Sequence, residues 1–219
     1  MKIDIPPVVK NLLIINGLFF LAYISLKEFN NIDLNDFLGL HYFAAEKFMP
    51  VQYLTYMFMH ANFEHLFFNM FALFMFGKSL EILWGQKKFL IYYFVTGIGA
   101  ALLHTVVMEF EISAQINELG ITMEHPQYKD FLNMHLVVGA SGSVFGILLA
   151  FGMLFPNTKL MLLIPPIPIK AKYFIIAYGI IELYLGVSAQ NDGIAHFAHL
   201  GGMLFGILLI LFWKKKNKI

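Results

Sequence analysis

Six stretches of this chain are apolar enough to pass for membrane crossings, and that repetition limits the folds open to it. They cover residues 8–26, 54–76, 89–108, 138–155, 173–187 and 195–213. A crossing helix needs about 20 mostly apolar residues at 1.5 Å each. The fifth stretch is short, which points to tilt or a thinned bilayer around it. In hydrocarbon every backbone polar group must find an internal partner, so helices are the simplest way to satisfy six such runs. The expected fold is an all-α, polytopic bundle of six transmembrane helices.

Composition agrees. The 219 residues are 59% hydrophobic and 13% charged, against about 45–50% and about 25% in a soluble domain. A net charge of +1 gives no general affinity for nucleic acid. There is no cysteine, which excludes disulfides, thiolate catalysis and Cys-ligated metal. Residues 1–7 lack the pattern of a cleaved leader, so the first apolar stretch is expected to be a retained span.

No internal repeat or low-complexity tract breaks the chain, and one membrane domain over residues 1–219 is expected. Two linkers are long. Residues 27–53 mix charges with Phe and Leu, as in a partly embedded loop, and residues 109–137 form a polar loop. Pro165, Pro166 and Pro168 mark a rigid turn between the fourth and fifth stretches.

All fifteen basic residues are lysines, and twelve fall on one side of the alternating spans. The positive-inside rule puts both short tails in the cytoplasm. Spans two, four and six then start at the outer face. Ser141 and His199 stand near the starts of spans four and six, at matching shallow depth.

Ser141 lies in Gly139-Ala140-Ser141-Gly142, with Ser143 and Gly146 beyond. A serine nucleophile needs a base within hydrogen-bond reach and donors for an oxyanion. Small neighbours permit close helix approach, and a helix start offers open N–H groups. The same small residues would equally serve as a packing face. His199 is followed by Gly202 and Gly206, a surface suited to tight packing. His196, one turn earlier, is a rival base or half of a weak metal site. Polar residues such as these in membrane spans mark function by default. The second span carries His60, Glu64, His65 and Asn69. His65 and Asn69 share a helix face at i, i+4, while His60 falls about 140° away on an ideal helix and is expected to face elsewhere. The order is not that of a His-Glu-x-x-His zinc site. Glu182 is the one acidic candidate inside a span, without an assigned role. Trp84 and Trp213 suit the membrane interfaces.

Taken together, these motifs resemble the rhomboid family of intramembrane serine proteases, over residues 52–212. His60, His65 and Asn69 meet a His-x-x-x-x-His-x-x-x-Asn pattern. Gly139, Ser141 and Gly142 meet Gly-x-Ser-Gly. Ala198, His199, Gly202 and Gly206 meet Ala-His-x-x-Gly-x-x-x-Gly. Within these patterns the glycines select His199 over His196 and Ser141 over Ser143. The resemblance implies a Ser141–His199 dyad with no third acidic member. It implies an oxyanion hole of His65, Asn69 and the Ser141 N–H, and a structural His60. Phe145 falls where an aromatic packs on the catalytic histidine, and Glu81 and Gly85 match a cytoplasmic Glu-x-x-x-Gly packing element. No cofactor and no metal are implied. Implied substrates are single-span membrane proteins, met in the lipid bilayer, and the setting is a bacterial cytoplasmic membrane. The segment 186–194 would be a lid. The family's frequent tryptophan–arginine pair in the first long loop is missing. A client-binding relative without catalysis is the alternative; such relatives usually lack the serine or the histidine. A small transporter is a third, weaker reading.

Overall fold

The structure, a computed structural model, describes residues 4–161, 166–188 and 194–216. Residues 189–193 of the expected lid lie outside it, as do Pro165 of the expected turn and the terminal lysines Lys2 and Lys218. The chain is helical almost throughout. Helix α1 spans Pro7–Asn30, starting on a proline and ending at Asn31 in the left-handed region. The short α2 (Leu34–Leu38) and α3 (Gln52–Thr55) follow within the first linker. Helix α4 (Phe63–Ala72) runs through a π-helical turn, Leu73–Gly77, into α5 (Lys78–Trp84). Helix α6 covers Gln86–Leu119 and α7 covers Tyr128–Asn133. Then come α8 (Ser141–Leu154), α9 (Ala171–Val187) and α10 (His196–Lys215).

Four of these helical runs are long and apolar enough to cross a membrane unaided: Pro7–Asn30, Phe63–Trp84, Gln86–Leu119 and His196–Lys215. Their apolar residues also point outward. Leu18 and Leu21 of α1, Ile180 and Ile181 of α9, and Leu204, Leu208 and Leu211 of α10 are exposed. Exposed aliphatic surface on that scale is what lipid, not water, covers. The chain is an integral, multi-pass, all-α membrane protein.

Helix α8 is the exception that organises the rest. Every residue from Gly142 to Gly152 is buried, packed by α6, α9, α10 and the π turn. Enclosed by protein over those residues, it need not match the bilayer. Its 14 residues make about 21 Å of helix, against a hydrocarbon layer of about 30 Å. Its N-terminus, where Ser141 stands, therefore falls inside the layer if its other end reaches the surface.

Three sequence expectations need correction. The second span starts at Phe63, not near residue 54. The Asn62 side chain accepts the His65 N–H at 2.8 Å, and its extended backbone ends the preceding chain. A cap residue of this kind sets where a helix starts. His60 consequently sits before the helix. Its ring lies 5.1 Å from that of His65, so it faces His65 instead of turning away. The 109–137 loop is also shorter than expected, because α6 continues to Leu119 and α7 forms within the remainder.

The long linkers are tied to each other. Strand β1 (Leu40–His41) pairs antiparallel with β2 (Leu136–Val137). Tyr42, Ala45, Met108, Ile112 and Leu132 form a small core beneath them. Gln52, fully buried, accepts from the His41 and Met49 N–H groups and donates to the Phe37 and Lys47 carbonyls. One side chain thus satisfies four backbone groups of a loop that has few partners of its own. Pro168 of the expected turn opens strand β4 (Pro168–Lys170), which pairs antiparallel with β3 (Lys159–Met161).

Candidate active site

Ser141 is the first residue of α8, and His199 sits one turn into α10. The two helices touch backbone to backbone: a Cβ added at Gly202 would stand 1.8 Å from the Gly142 carbonyl oxygen. The missing Cβ of Gly202 allows that approach, while a Cβ at Gly142 would instead meet Ala100 of α6 at 2.4 Å. It brings His199 Nε2 to 2.9 Å from Ser141 Oγ, a hydrogen bond by distance. Gly206 faces Tyr92 of α6 instead, so the small face of α10 is shared between two neighbours.

The chain enters α8 through Gly139, whose φ of +134° suits glycine alone. A Cβ there would lie 2.7 Å from the His65 ring. Gly139 therefore lets His65, from α4, come close beside Ser141. Asn69, one turn further along α4, is buried and donates to the His65 carbonyl at 2.9 Å. Its amide has a second N–H, and the residue lines the same cavity as Ser141, His65 and His199. That cavity has a volume of about 790 Å³ and lies between α4, α8 and α9. His60 is fully buried behind His65.

The Phe145 ring, one turn into α8, stacks on His199 with centroids 4.0 Å apart and planes within 5°. This fixes the imidazole plane. Tyr178 of α9 packs on the other ring's neighbourhood, 5.0 Å from Phe145. The rival residues go elsewhere. Ser143 is buried and donates to the Tyr93 carbonyl at 2.7 Å. His196 Nδ1 is 2.8 Å from Glu182 Oε2.

Glu182 is what sequence reasoning left without a place. Its Oε2 also lies 2.8 Å from His199 Nδ1. Its lone acidity inside an apolar span was the available signal, but not which helix it would face. Glu81 of α5 accepts the Val8 and Val9 N–H groups at 2.9 and 2.8 Å, capping the start of α1. Gly85, with φ of +78°, ends α5.

Arranged this way, the site can hold a polarised hydroxyl beside an imidazole, with N–H donors across a cavity. A family model, the Rhomboid domain, matches residues 47–216. Among similar proteins, mitochondrial Rhomboid protein 1 of Saccharomyces cerevisiae is 29% identical over 151 residues, 69% of this chain and 38% of that one. Rhomboid protease AarA of Providencia stuartii is 31% identical over 161 residues, 70% of this chain and 52% of its own. The chain thus spans about half or less of the length of these relatives. With the family model covering most of its length, from the first linker to the end of α10, the chain belongs to the rhomboid family.

Proposed function

We propose that this protein is an intramembrane serine endopeptidase that cuts the transmembrane segments of membrane-protein substrates, with Ser141 as nucleophile and His199 as base. The observation that carries the reading is the 2.9 Å contact between Ser141 Oγ and His199 Nε2 at the wall of the α4–α8–α9 cavity. The relative named as a rhomboid protease, AarA, supports it.

Chemically, Ser141 Oγ attacks the scissile carbonyl carbon as its proton passes to His199 Nε2. The carbonyl π electrons move onto oxygen, and the new oxyanion lies among donors from His65, Asn69 and the Ser141 N–H. His199 then returns the proton to the leaving nitrogen as the C–N bond breaks. Water, activated by the same imidazole, releases the acyl group. His60, Gly139, Gly142, Phe145, Gly202 and Gly206 support the geometry by packing. In this reading the six apolar stretches are six crossings, and the lysine pattern sets both tails in the cytoplasm and the site near the outer face. No metal and no cofactor take part in these steps.

The test is labelling by a serine-directed fluorophosphonate, read by intact mass, together with cleavage of a single-span peptide in lipid. Wild type and Ser143→Ala should take one label. Ser141→Ala and His199→Ala should take none and cut nothing, while remaining folded. Cleavage at the wild-type rate by Ser141→Ala would refute the assignment, and a folded wild type that never labels but binds the peptide would favour a client-binding role.

A further inference from the structure

Glu182 stands on a helix that has little protein around it. Of α9's 17 residues, Ala171, Ile175 and Glu182 are the buried ones, while Ile176, Ile180, Ile181 and Leu183 are exposed. A carboxylate in such a span is costly and is retained where it has a partner and a task. Its partners are specific. One oxygen, Oε2, meets both His196 Nδ1 and His199 Nδ1 at 2.8 Å. An ionised carboxylate only accepts hydrogen bonds, so each imidazole must carry its proton on Nδ1. For neutral His199 that leaves Nε2 with a bare lone pair. Nε2 is the atom 2.9 Å from the Ser141 hydroxyl.

The alternative tautomer would be useless here. With the proton on Nε2, His199 could donate to Ser141 but could not receive its proton. The second nitrogen of an imidazole is set by what the first one bonds, and here that bond comes from α9. The three residue types also suit a metal, but the spacing does not. Ligands held tetrahedrally at about 2.0–2.1 Å from zinc stand roughly 3.3 Å apart, further than the 2.8 Å contacts, which are hydrogen-bond lengths.

We propose that Glu182 is the positioning residue of this site: it holds His199 in the Nδ1–H tautomer and stabilises the imidazolium formed as Ser141 attacks, while His196 anchors the carboxylate from its other side. The inference rests on the Ser141–His199 reading above, and extends the expected pair to a chain of three. During attack the Oγ–H bond breaks and the Nε2–H bond forms. The Nδ1 proton stays on His199, and Glu182 stays ionised, as the acidic member of a serine triad does. Besides His196, the titratable groups facing His199 are His65 from α4 and His104 from α6, and Tyr178 lies beside Glu182 on α9. None of these supplies a negative charge at neutral pH.

The experiment compares wild type, Glu182→Gln, Ser141→Ala and His199→Ala in peptide cleavage across pH, with ¹⁵N-histidine spectra of the wild type. Glutamine keeps the volume and an oxygen with two lone pairs, so it can still accept from both imidazoles, but it carries no charge to stabilise the imidazolium, and its NH₂ cannot face a protonated Nδ1. Glu182→Gln should lose at least about 10²-fold in kcat, and up to the roughly 10⁴-fold lost when a triad acid becomes its amide, with KM within about threefold. The pH dependence of its kcat/KM should differ from that of the wild type, since the imidazolium has lost its anionic neighbour. The wild-type spectrum should show His199 protonated on Nδ1. A folded Glu182→Gln with wild-type kcat and pH profile overturns the proposal while leaving the nucleophile intact, provided Ser141→Ala and His199→Ala are dead. If Glu182→Gln does not fold, the spectrum decides: an Nε2–H tautomer overturns the proposal, and an Nδ1–H tautomer sustains it. Activity in Ser141→Ala removes the underlying reading and this one with it.

Discussion

Replacing Gly202 by alanine adds one methyl group at the closest approach of α8 and α10. The added Cβ would stand 1.8 Å from the Gly142 oxygen, 2.7 Å from its carbonyl carbon and 3.2 Å from its Cα. Ordinary contact begins near 3.4 Å, so the two helices must part locally by about 1.6 Å. Neither clashing group is the end of a flexible side chain; both are backbone in buried helices. His199 lies one turn before Gly202, and Ser141 lies next to Gly142. Their 2.9 Å hydrogen bond cannot absorb such a shift, because a contact beyond about 3.5 Å is no longer a bond. Overpacking of this size typically costs about 1–3 kcal/mol, so much of the protein should still fold. Misplacing reacting groups by about 1 Å can cost about 10²-fold in rate. The expected result for Gly202→Ala is a modest drop in Tm and a loss of at least about 10²-fold in fluorophosphonate labelling rate. A variant that labels at the wild-type rate with unchanged Tm would refute the argument that the Gly142–Gly202 contact sets the Ser141–His199 distance.

Four further outcomes are expected. Asn69→Ala should lower kcat by up to about 10²–10³-fold, the worth of one oxyanion donor, with KM little changed; loss of folding instead would assign Asn69 to holding the His65 carbonyl. Phe145→Leu should remove a ring contact worth about 0.5–1.5 kcal/mol, seen as a roughly 2- to 12-fold loss in kcat/KM, and an unchanged value would mean that Glu182 alone orients His199. Glu81→Gln leaves one of the Val8 and Val9 N–H groups without its charged acceptor, a loss of about 1.5–3 kcal/mol. Tm should fall by about 3–12 °C, measured in detergent by scanning fluorimetry. Tyr42, in the first linker, has its phenol pushed above the ordinary range by burial and by the Glu109 carboxylate it donates to. Folded Tyr42 keeps its proton longer than the unfolded chain does, so this stability is complete below about pH 10 and fades as pH rises beyond it. Alkaline unfolding followed by circular dichroism should show that fall in wild type and less of it in Tyr42→Phe.

What the sequence made legible was whatever depends on a single helix. Apolar length located α1 and α10 to within a few residues, and i, i+4 spacing put His65 and Asn69 on one face. What it hid depends on two segments meeting. Residues 54–76 read as one apolar stretch only if the polar run His60-Ala61-Asn62-Phe63-Glu64-His65 is averaged away, and with it goes the Asn62 cap that delays α4 and turns His60 back toward His65. The end of α6 was missed for the opposite reason: residues 109–119 are polar but still good helix formers, so the helix outlasts its hydrophobic stretch. Glu182 stood out as an acidic residue in a span, yet only the rotation of α9 against α10 decides that its oxygen reaches two imidazoles. The Gly142–Gly202 contact belongs to the same class. Each glycine was visible, but not that one would meet the other.

The π turn at Leu73–Gly77 has a consequence for register. Asn69 and Glu81 are both buried, one lining the cavity and the other capping α1. Twelve α-helical steps of 100° would set them about 120° apart around the axis. A π turn takes up one extra residue, so the interval counts as about eleven steps and the two fall within roughly 20° of each other. The bulge acts as a phase corrector between the two ends of one span. Removing a single residue from it would keep the helix and its hydropathy intact while forcing either Asn69 or Glu81 out of the protein and into lipid. Length changes in this stretch are therefore far more damaging than any side-chain substitution there would suggest.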